Sequence, residues 1–454
     1  MIHKFHSEDT YVVLDVNSGA VHVMDKIAYD VLDHYPHKNK EEVSRILGSK
    51  YDLNEVTEAI GEIELLMKEG ILYREERYIT HENFVNKKPV VKALCLHIAH
   101  DCNIRCQYCF ASQGDFKGER TMMTADTGKK AIDFLLENSG SRKNLEVDFF
   151  GGEPLMNMDS IKEIVSYGRE KEKELNKNIR FTLTTNGVLL NDENMKYINE
   201  EMHNIVLSID GRPETNDKMR YTINGDGTYE IILPKIKKMA ELRKDKHYYV
   251  RGTFTRHNKD FAEDVLHLAD LGFENVSVEP VVAEPHHDYA IKEEDLPFIF
   301  EQYDYLADQL LKRRNTDKKF NFFHFNIDLN QGPCVIKRLL GCGAGAEYLA
   351  VTPEGELYPC HQFVGNEDFR VGNVLEDTLD TSLYSHFSDA HVYNKEKCNE
   401  CWAKFYCSGG CHANAYNFNK DIYKPYDIGC EMEKKRIECA IMIQAKLSEE
   451  ENND

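Results

Sequence analysis

The chain carries, at residues 97–111, the stretch HIAHDCNIRCQYCFA, in which Cys102, Cys106 and Cys109 follow the pattern CxxxCxxC. Three cysteines on one loop can each bind one iron of a four-iron cluster, whereas a structural zinc ion or a fully ligated cluster needs four protein ligands. Three ligands leave one iron open to a small molecule, and an open iron makes a cluster a reaction centre. The spacing alone also leaves room for a fourth ligand from elsewhere in the chain.

On either side of this stretch, short apolar segments alternate with longer amphipathic ones. We predict strands over residues 93–98, 145–150, 179–184, 205–209, 249–254 and 276–281. Helices are predicted between them, over residues 125–138, 158–176, 191–202, 228–243, 259–271 and 293–313. This alternation predicts an α/β fold with a parallel sheet, open or closed into a barrel, and catalytic groups in the loops that follow the strands.

Composition narrows the class of protein. The 454 residues include 56 basic and 78 acidic side chains, and the net charge of −22 argues against nucleic acid as a partner. No apolar run approaches the ~20 residues that span a bilayer, so no membrane partner is expected. The start of the chain lacks the plan of a signal peptide, so a cytoplasmic location is expected. Cytoplasmic thiols stay reduced, so the 13 cysteines indicate metal binding or catalysis.

The cysteine loop resembles that of the radical S-adenosylmethionine (SAM) enzymes, whose signature is CxxxCxΦC with an aromatic Φ, here Tyr108. The resemblance implies a partial (β/α)6 barrel in which the open iron holds SAM, which is cleaved to a hydrogen-abstracting 5′-deoxyadenosyl radical. Further family motifs follow the next strands in order: GGEP at 151–154, TTNG at 184–187 and SIDG at 208–211. The implied cofactor-binding residues are Tyr108, Gly151, Gly152, Glu153, Pro154, Thr184, Asn186, Ser208, Asp210 and Arg220.

The loop-rich segment after residue 314 resembles the SPASM extension of radical SAM enzymes that modify peptides. The resemblance implies two auxiliary four-iron clusters, for a total of three with the radical cluster. One would be held by Cys398, Cys401, Cys407 and Cys430, and the other by Cys342, Cys360 and Cys411 with Cys334 as the candidate fourth ligand. A bound Cys334 makes that cluster a redox relay, whereas a released one opens an iron to a substrate thiolate. By spacing alone, these cysteines could instead form a zinc ribbon.

His361 departs from the pattern of the sulfatase-maturating relatives, in which an aspartate thought to act as base follows the cysteine that matches Cys360. The departure counts against oxidation of an alcohol or thiol by the same machinery. His361 is a candidate base, since imidazole titrates near neutrality, and its alternative is a histidine without a catalytic role. The remaining cysteines, Cys95 and Cys439, are predicted to be ordinary buried thiols.

The first segment has strand patterns at 11–15 and 20–24 around Asn17, and two helical patterns, one from Ile27 to Leu32 and one from Val56 to Met67. Gly70 is predicted to end the second helix, and residues 71–78 to be extended. The segment resembles the winged-helix-like element that binds leader peptides by adding a strand to a sheet edge. A DNA-binding winged helix is the rival interpretation, which the acidic side chains disfavour.

We therefore predict a recognition module over residues 1–80, a linker over 81–92, the barrel over 93–314 and the SPASM domain over 315–454. Across nearly the whole chain, the phrases VLDVNSGAVHV, HIAHDCNIRCQYCFA and YPCHQF resemble the thioether-forming maturases of SCIFF peptides. That resemblance implies a ribosomally made precursor peptide as substrate, an electron donor such as ferredoxin or flavodoxin, and an anaerobic cytoplasm. The alternatives are a sulfatase-type maturase that makes formylglycine and a zinc-binding adaptor without catalysis.

Overall fold

The computed structural model describes residues 1–76, 90–329 and 339–453. The chain begins with an antiparallel sheet of β1 (Ile2–Ser7), β2 (Thr10–Asp15) and β3 (Val21–Met24), in the order β1-β2-β3. Three helices follow: α1 (Lys26–Val31), α2 (Lys40–Leu47) and α3 (Leu53–Glu69). The side chains of Asp25, Asn39 and Asp52 cap the three helices by accepting backbone N–H groups of the first turn.

The first segment agrees only in part with expectation. The predicted hairpin and both predicted helices are present, and Gly70 ends α3 in the left-handed conformation at φ +72°. The strand β1 and the helix α2 were not predicted. The prediction of an extended segment over 71–78 is wrong for residues 71–73, which form a bend with Tyr73 at φ +51°. Residues 74–76 belong to no helix or strand. Residues 77 and 78, like most of the predicted linker, lie outside the described residues.

Six parallel strands form the centre of the molecule and pair in sequence order. They are β4 (Ala93–Ala99), β6 (Asn144–Gly151), β7 (Asn178–Thr185), β8 (Asn204–Ser208), β10 (His247–Phe254) and β11 (Asn275–Pro280). A separate two-stranded ladder joins β5 (Ile104–Cys106) to β9 (Arg220–Thr222), and the two-residue strand β12 (Asn321–Phe322) pairs with β11. Among the described residues the central sheet stays open, which confirms the partial barrel.

Helices cover the outer face of this sheet: α4 (Ala125–Asn138), α5 (Met158–Glu174), α6 (Asp192–Glu201), α7 (Pro213–Met219), α8 (Tyr229–Leu242), α9 (Phe261–Asp270) and α10 (Leu296–Arg313). The strand residues alternate, so that Leu145, Val147 and Phe149 of β6 are fully buried in the layer beneath the helices. The intervening Asp148 and Phe150 point to the opposite face, into the interior of the barrel. The alternation therefore gives the barrel an apolar outer layer and an interior that includes polar groups.

The last segment extends the central sheet. Strand β13 (Tyr348–Val351) pairs in parallel with β4, and β14 (Glu356–Tyr358), β15 (Gly372–Asn373) and β16 (Thr378–Leu379) follow in antiparallel order. The helices α11 (Ser382–Asp389), α12 (Lys404–Cys407), α13 (His412–Asn419) and α14 (Asp427–Asn453) complete it. No helix in the described ranges has the length and apolar character required to cross a bilayer.

The first and last segments pack against each other. The ring of His3 stacks on Trp402 at 3.7 Å between centroids, and His3 Nε2 lies 2.8 Å from Glu438 Oε1. Beneath them, Val12 and Leu14 share an apolar cluster with residues of the last segment, among them Phe405. The amino-terminal sheet therefore lies beside the cysteines that flank Trp402, and Trp402 packs between the two segments.

Candidate active site

The three cysteines of the first loop surround the short ladder of β5 and β9. Cys106 is the last residue of β5 and lies directly opposite Arg220 on β9. The three thiols are close enough for their charges to interact, and burial raises the pKa of Cys102 to about 11 and that of Cys106 to about 12. The loop therefore gathers three mutually interacting sulfur atoms beside a buried guanidinium group, and metal binding there would release protons at neutral pH.

The GGEP segment lies directly against the backbone that leads into the cysteine loop. Gly152 N donates to Ala99 O at 2.7 Å, and Glu153 N donates to Asp101 O at 2.9 Å. A Cβ atom on Gly151 would lie 2.3 Å from Ala99 O, and one on Gly152 would lie 2.0 Å from Asp101 O. Both glycines are therefore required for the close approach of the two backbones.

Replacing Gly152 with alanine is expected to push this segment away from the cysteine loop, because the new methyl group collides with a backbone oxygen. We expect a loss of about 1–3 kcal/mol in the free energy of unfolding, together with a reduced iron content after reconstitution. Thermal unfolding and an iron assay measure the two effects. Gly118→Ala is the matched control, since the nearest atom to its Cβ, Asp115 O, lies 3.5 Å away. Equal behaviour of the two variants would contradict the prediction.

Glu153 links the ends of two strands. Its carboxylate is fully buried and accepts hydrogen bonds from Leu155 N at 3.0 Å, Thr185 Oγ1 at 2.8 Å and Asn186 N at 2.8 Å. Burial raises its pKa above the usual value for a glutamate. Family resemblance implied that Glu153 binds the cofactor, and the structure adds that both of its oxygens hold the loop after β6 against the end of β7.

Thr184 and Asn186, the two residues predicted at the end of β7, have different surroundings. Asn186 Nδ2 donates to Asn103 Oδ1 at 2.7 Å and lies 3.7 Å from Cys102 Sγ, so it reaches the cysteine loop. Thr184 is half-buried near the end of β7, whereas its neighbour Thr185, which was not predicted, makes the bond to Glu153. Pro154 is buried and begins a short 3-10 helix over Pro154–Asn157.

Tyr108, Asp210 and Arg220 form one buried network. The Tyr108 hydroxyl donates to Asp210 at 2.7 Å, and Arg220 Nη1 donates to the Tyr108 oxygen at 3.2 Å. Arg220 Nη2 donates to Ser208 O at 3.1 Å, which brings in the fourth strand end. Burial raises the pKa of Asp210 to about 6. Sequence reasoning named all four residues separately, but the pairing of Tyr108 with an aspartate 102 positions away has no local signal.

Two buried donors in this region have no protein partner among the described residues: Arg220 Nε and Asn103 Nδ2. Arg220 lies opposite Cys106, and Asn103 follows Cys102 in the chain. A buried donor without an acceptor costs stability, so such groups mark where a ligand with acceptor atoms fits. The residues present therefore suit a ligand that bears an anionic group.

His361 lies beside the cysteine loop. Its ring centroid is 5.0 Å from that of Phe150, which precedes GGEP, and 5.6 Å from that of Phe110, which follows Cys109. His361 Nδ1 is 3.1 Å from the Tyr348 hydroxyl. Burial lowers the pKa of His361 to about 4, so the imidazole is neutral at pH 7 and a weaker base than an ordinary histidine, and the expectation that it titrates near neutrality is wrong. Its place is compatible with the candidate role of base.

The later cysteines fall into two groups. Cys398, Cys401, Cys407 and Cys430 interact with one another electrostatically, and Cys342, Cys360 and Cys411 do likewise. Cys334 lies outside the described residues. Within 1–76, 90–329 and 339–453, no three cysteine, histidine or acidic side chains are placed to hold a single metal ion. Cys95 and Cys439 are buried in β4 and α14, as predicted.

Comparison with known proteins agrees with this geometry. Residues 96–271 match the model of the radical SAM superfamily, and residues 342–402 match that of SPASM, an iron-sulfur cluster-binding domain. The fold and the site thus define a radical SAM enzyme. The chain belongs to those members of the superfamily that carry a SPASM domain, and the two domains imply SAM and four-iron clusters as cofactors.

Individual relatives are distant but cover most of the chain. The radical SAM cyclopropyl synthase TigE of Paramaledivibacter caminithermalis is 24% identical over 405 residues, which are 83% of this chain and 79% of TigE. A cysteine-type anaerobic sulfatase-maturating enzyme of Clostridium novyi is 23% identical over 69% of this chain and 86% of its own. Streptococcus suis SuiB, solved with precursor peptide SuiA, has the same fold, with a TM-score of 0.54 and 16% identity over 93% of this chain and 97% of SuiB.

Proposed function

We propose that this enzyme installs thioether cross-links between cysteine sulfur and a carbon of an acceptor residue in a ribosomally made precursor peptide of the SCIFF type. One observation carries the proposal: a three-stranded sheet, whose outer strand β3 pairs with no further strand of the described residues, is packed against the cysteine-rich segment, in a chain that also has the radical SAM core. A peptide held at that sheet would be tethered to the enzyme that modifies it. SuiB, whose fold matches 93% of this chain, was solved bound to its precursor peptide SuiA.

The radical site would be held by Cys102, Cys106 and Cys109. When bound, the cluster and SAM supply a hydrogen-abstracting radical. This chain's own residues would bind and orient SAM: the GGEP backbone toward its amino group, and Arg220, whose Nε has no described protein partner, toward its carboxylate. His361 is the candidate base by its place alone, since its ring lies beside Phe110 and Phe150 next to the cysteine loop.

The two later groups of cysteines would hold auxiliary clusters, with Cys334 as the proposed eighth ligand. Forming a C–S bond from C–H and S–H removes two hydrogens, so an electron must leave the substrate after the radical abstracts one hydrogen atom. An auxiliary cluster is a suitable acceptor, and a ferredoxin or flavodoxin is the proposed external donor to the radical site. A zinc ribbon would offer no such acceptor, and about twelve irons per chain would exclude it.

The test is incubation of the reduced, reconstituted enzyme with SAM and a candidate precursor peptide. Each thioether should make the peptide lighter by two hydrogens and remove one thiol from reaction with iodoacetamide. A ring closed between carbons, the reaction named for TigE, gives the same mass but spares the thiol. A formylglycine product, the alternative favoured by the sulfatase-maturating relative, carries an aldehyde that reacts with a hydrazine probe. Either of those products would overturn the proposed reaction.

The edge of β3 makes a specific prediction about peptide binding. Asp15 N donates to Ala20 O, which sets the alternation of the β2–β3 ladder and turns the backbone N–H groups of Val21 and Val23 away from β2. Val23→Pro removes one outward donor and spares the ladder, so we expect affinity for the precursor to fall at least about tenfold.

Fluorescence anisotropy with a labelled precursor measures this affinity. Val23→Thr is the matched control, since it keeps the N–H group and a β-branched side chain. SAM cleavage without peptide should be the same in both variants. An unchanged affinity in Val23→Pro would place the peptide elsewhere on the protein.

A further inference from the structure

One lysine is buried among the later cysteines. Lys395 is 2% exposed, and its Nζ donates to Gly409 O at 2.8 Å. Gly409 belongs to the turn between Cys407 and Cys411, which joins the two groups of cysteines. The backbone of Lys395 also reaches a cysteine, since its carbonyl accepts from Cys398 N at 3.3 Å. The ammonium group therefore contacts the short turn that links Cys407 of one group to Cys411 of the other group.

The ionisable groups nearest to Lys395 include four cysteine thiols. Its ammonium group interacts electrostatically with Cys398, Cys407 and Cys430 of one group and with Cys411 of the other. His412 is also near, and burial keeps it neutral at pH 7 by lowering its pKa to about 4. In the described part of the chain, Lys395 forms no ion pair with a carboxylate. A buried ammonium without a counter-charge is strongly unfavourable, so the thiolates of bound clusters would be its counter-ions.

A second buried lysine shows the contrast. Lys404 is also 2% exposed, but its Nζ lies 3.0 Å from the carboxylate of Glu76, which neutralises its charge. Lys404 thus has the usual carboxylate partner of a buried lysine, and Lys395 does not. A purely structural role for Lys395 would require only its aliphatic side-chain carbons, which pack against Gly409, and one hydrogen-bond donor for Gly409 O.

We propose that Lys395 is a positive charge shared by the two auxiliary clusters and that it raises the reduction potential of both. The inference rests on the proposed auxiliary clusters and adds a tuning residue to them. A nearby cation favours the form of a cluster that carries one more electron, and net charge near a cluster is among the factors that set its potential. Lys395 would therefore make the clusters better acceptors for the electron that leaves the substrate.

The test is a redox titration monitored by electron paramagnetic resonance. It uses full-length protein in which Cys102, Cys106 and Cys109 are alanine, so that only auxiliary clusters contribute to the signal. Lys395→Gln keeps a donor for Gly409 O and removes the charge, while Lys395→Arg keeps the charge. Lys397→Gln is the control, because Lys397 is exposed and pairs with Asp427 at 2.9 Å.

We expect Lys395→Gln to retain its iron. At a fixed potential, its ratio of reduced to oxidised auxiliary cluster should be at least about tenfold lower than in the parent protein, which corresponds to a shift of about 59 mV for a one-electron couple. The reduction potentials of Lys395→Arg and Lys397→Gln should stay close to those of the parent protein. Unchanged potentials with full iron in Lys395→Gln would overturn the inference. If Lys395→Gln loses iron, recovery of iron in Lys395→Arg supports the role of the charge, and no recovery overturns it. A parent protein without auxiliary iron would instead overturn the proposed function, and this inference with it.

Discussion

Cys106→Ala is expected to abolish the reductive cleavage of SAM, with 5′-deoxyadenosine falling at least about a thousandfold, to the background of the assay. Cys106 lies at the centre of the cysteine loop, opposite Arg220 and within electrostatic range of Cys102 and Cys109. Two remaining thiols cannot hold a four-iron cluster with one open iron. Chromatography of 5′-deoxyadenosine, with dithionite as reductant, measures the loss.

The iron content gives an independent readout for the same variant. The auxiliary groups lie in a different segment, so Cys106→Ala should lose about four irons and keep about eight. Cys439→Ala is the matched control, because Cys439 is a buried thiol of α14 outside all three groups. SAM cleavage in Cys106→Ala at a rate near that of Cys439→Ala would exclude this loop as the radical site.

Cys407→Ala is expected to separate the two halves of the chemistry. Cys407 is half-buried at the end of α12 and interacts with Cys398, Cys401 and Cys430, but not with the first loop. SAM cleavage should therefore persist within about threefold, while cross-linked peptide falls at least about a hundredfold because the substrate electron has no acceptor.

Mass spectrometry of the peptide and assay of 5′-deoxyadenosine in the same reaction measure this ratio. The iron content should again fall by about four. Cys439→Ala again serves as the control for loss of a buried thiol. Full cross-linking by Cys407→Ala would show that the auxiliary cluster proposed for this group of cysteines is not needed for the reaction.

The barrel could be predicted because its periodicity is local. Each of the six strands is a short apolar run between amphipathic helices, and β6 shows why the run is recognisable: Leu145, Val147 and Phe149 alternate into the core. The motif residues were predictable for the same reason, since each follows a strand. β1 was missed because its residues are only partly buried, and α2 because it is short and largely polar.

The sequence does not predict which side chains meet when they are far apart along the chain. Nothing near Tyr108 indicates that its hydroxyl meets Asp210, or that Glu153 would use both oxygens on the protein. The extended segment predicted after α3 failed at residues 71–73 because Tyr73 adopts a positive φ, which β-type composition does not reveal. The grouping of the later cysteines came from family resemblance, and spacing alone left a zinc ribbon open. The ligand role of Cys334 stays a prediction.

The seating of His3 on Trp402 has a consequence for how the protein is made. His3 pairs with Glu438, which is 435 positions away, and Thr10 pairs with Glu449. During synthesis, the first sheet therefore waits for almost the entire chain to leave the ribosome before it reaches its final neighbours. The packing of the first sheet against the last segment is therefore a late step of folding.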